Sequence, residues 1–88
     1  MASLRTLKKD INNVLGDIID AVYVWEGIHP KKSRTESEAI IDDAIATFDD
    51  LIIKVNKKDV ENRKIHLREV RIELEEKATK LIERVNNL

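Results

Sequence analysis

The residues of this chain that could perform acid–base chemistry are two histidines and a group of carboxylates. His29 stands before the only proline, and His66 lies in a mixed charged stretch further along. A catalytic triad needs a nucleophile, a base and an orienting carboxylate that converge in space. The residues next to either histidine form no such set, and the chain has no cysteine to act as a nucleophile. We therefore predict that the protein is not an enzyme.

The acidic residues are concentrated in one stretch, since no Lys or Arg lies between Arg34 and Lys54. Glu38, Asp42 and Asp49 are four and seven residues apart, so on a helix they share one face. Paired carboxylates can bind divalent cations or act in acid–base catalysis. This face points away from the apolar stripe of the same segment, which predicts a solvated surface. The alternative is an acidic face for a basic protein partner.

The sequence contains no recognisable site for a metal or another cofactor. The absence of cysteine excludes thiolate zinc sites and disulfides. The two inward-facing Glu-x-x-His motifs of di-iron bundles and the glycine-centred calcium loop are also missing. We expect no cofactor, no metal and no small-molecule substrate.

Composition and charge exclude several other classes of function. The chain has 88 residues, with 16 Lys and Arg against 17 Asp and Glu, so the net charge is -1. Proteins that bind nucleic acid through phosphate contacts usually carry a basic surplus, so we expect no nucleic-acid partner. No apolar run approaches the length of about 18 residues that a membrane span needs. These features predict a cytoplasmic protein that does not act at a membrane.

The elements that must position these residues are three helices. The chain has only two Gly and one Pro, which disfavours turn-rich β folds. Breaks near 27–33 and 56–59 predict helix 1 at about 4–26, helix 2 at about 36–56 and helix 3 at about 59–87. Short connections predict one all-α domain over 1–88, an antiparallel up-down-up three-helix bundle. Apolar residues spaced three and four apart favour left-handed, coiled-coil-like packing.

The ends of these helices carry typical capping signals. Polar side chains at the start of a helix accept hydrogen bonds from its free amides, and the stretch 35–38 has the pattern of a capping box. Glycine and asparagine tolerate the left-handed conformation that often ends a helix. The expected N-caps are Ser3, Thr35 and Asp59, and the expected C-terminal stops are Gly27 and Asn56.

Helix 3 carries apolar residues that the core does not require. Ile65 and Ile72 are seven residues apart, on a face about 150 to 170° from the core stripe. From 59 to 88 the segment would span 30 residues against 21 for helix 2, an overhang of about 13 Å. The candidate self-association surface is Ile65, Ile72, Ile82, Val85 and Leu88.

Three functions are compatible with these patterns. The leading hypothesis is a non-enzymatic helical interaction or structural module that forms a weak homodimer, because small domains often gain burial by oligomerisation. The second is a small inhibitor or immunity-type protein that uses the acidic face of helix 2. The third is a helical enzyme with a site between subunits. A stable oligomer in solution favours the first hypothesis, and a monomer favours the second.

Overall fold

The computed structural model describes residues 4–88, which form three α-helices. Helix α1 spans Leu4–Ile28, α2 spans Thr35–Asn56 and α3 spans Arg63–Asn86. The described residues contain no strand, and each helix contacts the other two. The protein is therefore an all-α three-helix bundle, as the sequence predicts.

Contacts between helix ends establish the up-down-up order. Glu26, near the end of α1, contacts Ser37 in the first turn of α2. Arg84, near the end of α3, reaches back to Glu36 at the beginning of α2. Helices α1 and α2 are thus antiparallel, as are α2 and α3. Helices α1 and α3 consequently run side by side in the same direction.

The core is almost entirely aliphatic and draws on all three helices. Apart from the adjacent Ile40 and Ile41, its buried residues recur three, four or seven apart along each helix, because only one stripe of a helix can face the bundle axis. The buried core consists of Leu7, Ile11, Leu15, Ile18, Val22, Ile40, Ile41, Ala44, Leu51, Val55, Val70, Leu74, Ala78 and Leu81.

The core stripe of α1 is rotated toward Leu15 and Val22 and away from Val14 and Ala21. Leu15 and Val22 are fully buried, whereas Ala21 is exposed and Val14 is only half-buried. The longer side chains of α1 turn toward the bundle axis, and Ala21, which has little surface to bury, stays at its edge. This rotation leaves small or partly exposed residues on the side of α1 that borders α3.

Several predicted helix ends are wrong in detail. Gly27 lies within α1, and no described residue, glycine or other, has a positive φ, so neither Gly27 nor Asn56 is a left-handed stop. Thr35 is the first residue of α2 rather than its cap, and Arg34 precedes it without a side-chain capping bond. Ser3 lies outside the described residues.

Helix α3 begins four residues later than predicted. Asn62, not Asp59, is its N-cap, and the Asn62 side chain accepts a hydrogen bond of 3.1 Å from the Ile65 amide. Residues 57–62 form a non-helical linker. With 24 residues in α3 and 22 in α2, the predicted overhang is wrong. Val85 and Leu88, assigned to that overhang, pack against the bundle's own core.

Candidate interaction surface

An apolar groove lies between the parallel helices α1 and α3. Two clefts of about 340 and 310 Å³ adjoin each other, and both are lined by Val14 and Ile82. Leu74 and Ala78 line the first half of the groove, and Ala21 lines the second half. Because alanine side chains are short, the two helices leave this strip of apolar surface uncovered. We call it the α1–α3 groove.

Charged and polar residues mark the rims of the α1–α3 groove. At one end Arg71 Nη2 donates to Asp10 Oδ2 at 2.9 Å, with both side chains about one-third exposed. Further along, Asp17 lies on the α1 rim and Glu75 on the α3 rim, and both are exposed. The groove therefore combines an apolar floor with a predominantly acidic border.

Three of the predicted self-association residues lie on the exterior of α3. Ile65 and Ile72 are each 48% exposed, and Ile82 is 46% exposed. Ile82 forms part of the α1–α3 groove together with Val85. Val85 and Leu88 are half-buried against the core, so they offer less free surface than the isoleucines. The role of this surface in self-association stays a prediction.

The acidic face of α2 is exposed, but its members are not equivalent. Glu38 and Asp42 line a small cleft with Tyr23, Glu26 and the cation Arg34 where α1 meets the start of α2. Asp49 lies two turns further along and is not part of that cleft. Glu38, Asp42 and Asp49 make no ion pair with any residue of the 4–88 range.

The other acidic residues of α2 pair with α3. Arg84 bonds to Asp43 and lies 3.4 Å from Glu36, and these two carboxylates raise the pKa of the guanidinium, with the Asp43 hydrogen bond as the largest cause. Such exposed pairs each contribute about 0 to 1 kcal/mol. Their main effect is to hold the end of α3 beside the start of α2.

A buried polar pair between α1 and α2 was not foreseen from the sequence. Ser37 is 0% exposed and Glu26 only 8% exposed. Ser37 Oγ donates to Glu26 Oε2 at 2.7 Å and lies 3.1 Å from the carbonyl oxygen of Arg34. The spacing of residues along α1 could have indicated that Glu26 is buried, because Glu26 continues the α1 core stripe four residues after Val22. The pair is a structural link between the two helices, since a buried carboxylate needs a donor.

A second polar cluster joins α2 to α3 on the surface. Lys54 Nζ donates to both carboxylate oxygens of Glu73 at 2.8 Å and lies 3.1 Å from Asp50. The hydrogen bond from Lys54 is the largest cause that lowers the pKa of Glu73 and of Asp50, and the pKa of Lys54 is raised in return. Lys77 completes the cluster at 3.0 Å from Glu73.

Both histidines are engaged in local structure. His29 stacks on Trp25, with ring centroids 4.9 Å apart, and its Nδ1 lies 3.0 Å from the Trp25 carbonyl oxygen. His66 Nε2 lies 2.6 Å from the carbonyl oxygen of Lys54 in the last turn of α2, which also accepts a hydrogen bond from the Lys57 amide at 3.3 Å. His66 therefore fastens the start of α3 to the end of α2.

The described part of the chain contains no cluster of three or more His, Cys, Asp or Glu side chains arranged to hold a metal ion. Among the helices of residues 4–88, none has the length and apolar character needed to cross a membrane. Comparison with protein families, with characterised proteins and with solved structures found no match. The functional argument therefore depends on the surface of the bundle itself.

Proposed function

We propose that this protein is a non-enzymatic helical interaction module that self-associates as a weak homodimer through the exterior of α3. The observation that carries the proposal is the alignment of Ile65, Ile72 and Ile82, each close to half exposed on one helix. Isolated exposed apolar residues are ordinary on protein surfaces. Here Ile82 lines the apolar α1–α3 groove, and Ile65 and Ile72 lie further along the same helix, so exposed apolar surface recurs over most of the length of α3. Extended apolar surface is typical of a protein contact.

The energetics favour association without making it tight. Fully burying an isoleucine stabilises by about 1.5–3 kcal/mol, so covering the exposed half of one contributes about 1 kcal/mol. A two-fold contact covers six such side chains, and association itself costs at least about 4 kcal/mol. The isoleucines alone thus leave a surplus of about 2 kcal/mol, less than the roughly 4 kcal/mol that a dissociation constant of 1 mM requires. Covering the apolar floor of the α1–α3 groove must therefore contribute the remainder of a dimer that forms below 1 mM.

Sedimentation equilibrium of the full chain tests the proposal. We expect a concentration-dependent dimer in the parent and a monomer in the variant with Ile65→Lys and Ile72→Lys. The matched control is Ile53→Lys on α2, because Ile53 is 69% exposed and lies on a different helix. Circular dichroism must report the same helix content in all three proteins. A parent that stays monomeric at several hundred micromolar contradicts self-association, as does a double variant that dimerises like the parent.

The second candidate is a monomeric module that binds a basic partner through α2. It is favoured by the unpaired carboxylates of Glu38 and Asp42, which border the cleft that contains Tyr23. Titration with a lysine-rich helical peptide tests it, using Glu38→Gln with Asp42→Asn as the variant. Saturable binding that the variant loses and high salt weakens would support this function. Binding that is unchanged in the variant would contradict it.

A further inference from the structure

We infer that the homodimer forms when two α3 helices cross in opposite directions near their midpoints, so that the N-terminal half of each α3 lies over the α1–α3 groove of the other copy. The inference rests on the proposed function and specifies its geometry. It commits to a second copy of this chain as the occupant of the groove.

The first support is a second helical seam on α3. Residues spaced alternately three and four apart form a continuous stripe in addition to the core stripe, and every member of this stripe is exposed. Apolar residues at such spacing are typical of one helix packed lengthwise on another, and three of the seven members of this stripe are isoleucines. The outer seam of α3 consists of Ile65, Arg68, Ile72, Glu75, Thr79, Ile82 and Asn86.

Helix α1 carries a matching seam on the opposite wall of the groove. Val14, Asp17 and Ala21 line the groove, and the same spacing of three and four continues to Val24 and Ile28. Val24 is 60% exposed and Ile28 is 68% exposed. The apolar surface of this side therefore extends beyond the groove toward the end of α1, where no segment of the described chain covers it.

Charge indicates which segment fills the groove. Residues 63–72 of α3 carry four cations, Arg63, Lys64, Arg68 and Arg71, and one acid, Glu69. In contrast, residues 10–28 of α1 carry no Lys or Arg. Two of their acids, Asp10 and Asp17, line the groove, and Glu75 of α3 adds a third carboxylate to its border. The first half of α3 is thus an apolar and basic helical segment, and the groove has an apolar floor with an acidic wall. The two surfaces are complementary in both respects.

Charge also selects the antiparallel direction. Arg71 of α3 pairs with Asp10 of α1, so the start of α3 is level with the first turns of α1. In a parallel arrangement the basic half of α3 would face Arg5, Lys8 and Lys9 of the other copy. In the antiparallel arrangement it faces the acidic part of α1, and the contact repeats itself about a two-fold axis. Such a contact closes on itself as a dimer.

The isoleucines set the register. With the crossing point near residue 77, Ile72 of each copy lies opposite Ile82 of the other, because both are five residues from that point. Since α1 and α3 of one copy run in parallel, Ile65 of the other copy then lies near Val24, toward the exposed end of α1. Crossed helices diverge away from the crossing point, so the basic half of each α3 inclines toward α1 of the other copy.

Crosslinking tests this geometry, because the chain has no cysteine of its own. Glu69, Glu76 and Glu83 are exposed, lie on one face of α3 and are each seven residues apart, so they form a matched series. With a rise of 1.5 Å per residue, equivalent positions in the two copies are separated along α3 by about 3 Å at Glu76, 18 Å at Glu83 and 24 Å at Glu69. We expect a short thiol-specific crosslinker to trap a dimer of Glu76→Cys only.

The other patterns each overturn the inferred geometry. Crosslinking of Glu69→Cys alone would place the axis between Ile65 and Ile72, and crosslinking of all three variants would indicate parallel helices. Crosslinking of none, while sedimentation reports a dimer, would place the contact elsewhere. These three results leave self-association intact. A parent that is monomeric by sedimentation overturns the proposed function and the inference together.

A charge reversal provides an independent test of the groove. Asp17→Lys places a cation in the acidic wall, and we expect the dimer dissociation constant to rise about tenfold or more, with a weaker salt dependence than in the parent. The matched control is Asp49→Lys on α2, another exposed aspartate without an ion pair in the described chain. Equal effects of the two substitutions, or no effect of Asp17→Lys, would exclude the α1–α3 groove as the site.

Discussion

Helix α1 makes two very different contacts with its neighbours. Toward α2 it buries long aliphatic side chains such as Leu15 and the hydrogen bond between Glu26 and Ser37. Toward α3 it presents Ala21 at the edge of an open groove, and its ion pair with α3 is partly exposed. The first contact buries its polar pair and leaves one apolar cleft of about 200 Å³ beside Gly16 and Phe48, whereas the second leaves two adjoining clefts of about 340 and 310 Å³. The bundle is therefore held together mainly on one side and is open to association on the other.

The strongest test of this comparison removes one large side chain from each region. We expect Leu15→Ala to destabilise the fold by about 2–5 kcal/mol, because it deletes a side chain that is only 1% exposed and leaves a cavity. Ile82→Ala on the groove wall should cost less than about 1 kcal/mol, since half of that side chain is already in water. Denaturant unfolding at low micromolar concentration, where the monomer dominates, measures both. Similar costs for the two variants would contradict the asymmetry.

The second test compares the polar links of the two contacts. Ser37→Ala leaves the buried Glu26 carboxylate without its donor, and we expect a loss of about 1–3 kcal/mol. Arg71→Gln breaks the partly exposed pair with Asp10 and should cost less than about 1 kcal/mol. Thermal melts at neutral pH measure the difference. A Ser37→Ala variant as stable as the parent would show that the hydrogen bond between Ser37 and Glu26 does not stabilise the contact between α1 and α2.

A smaller effect is expected at Gly16, on the α2 side of α1. A Cβ at this position meets no atom within 4 Å, and the backbone is helical. Gly16→Ala should therefore stabilise the fold by about 0.4–1 kcal/mol through a less flexible unfolded chain. An increased melting temperature with an unchanged sedimentation profile is the expected result. A destabilised Gly16→Ala variant would indicate that another copy of the chain covers this face of α1 in solution. The association surface would then lie on the α2 side of α1 and not at the α1–α3 groove.

The smallest effect concerns the cluster that joins α2 to α3. The hydrogen bond from Lys54 holds the pKa of Glu73 below its usual value of 4.5. The carboxylate form is thus favoured in the folded state, so this contribution is complete above pH 4.5 and is lost as the pH falls through the lower folded pKa. We expect Glu73→Gln to lose about 0.5 kcal/mol at pH 7 and to be less sensitive to acid than the parent. If Glu73→Gln and the parent lost stability equally in acid, the hydrogen bond between Lys54 and Glu73 would not contribute to the pH dependence of folding.

The sequence predicted the helices better than it predicted their ends. The interior of a helix is specified by a repeating apolar pattern, and all three helices follow from it. A helix end depends on one or two side chains that compete with neighbouring polar groups, so Asn62 replaced Asp59 as the cap of α3. The acidic face of α2 was located correctly as an exposed surface, because residues four and seven apart must share a face.

The sequence by itself determined the class of the fold, the direction of its helices and the exposure of Ile65 and Ile72. These features follow from local periodicity and short connections, which act within one or two turns of chain. The tertiary structure decided that Glu26 and Ser37 meet in the interior, that His66 binds the end of α2, and that α1 and α3 leave a groove open. Each of these depends on the rotation of one helix against another, and that rotation is set by how side chains of different length fill the shared core.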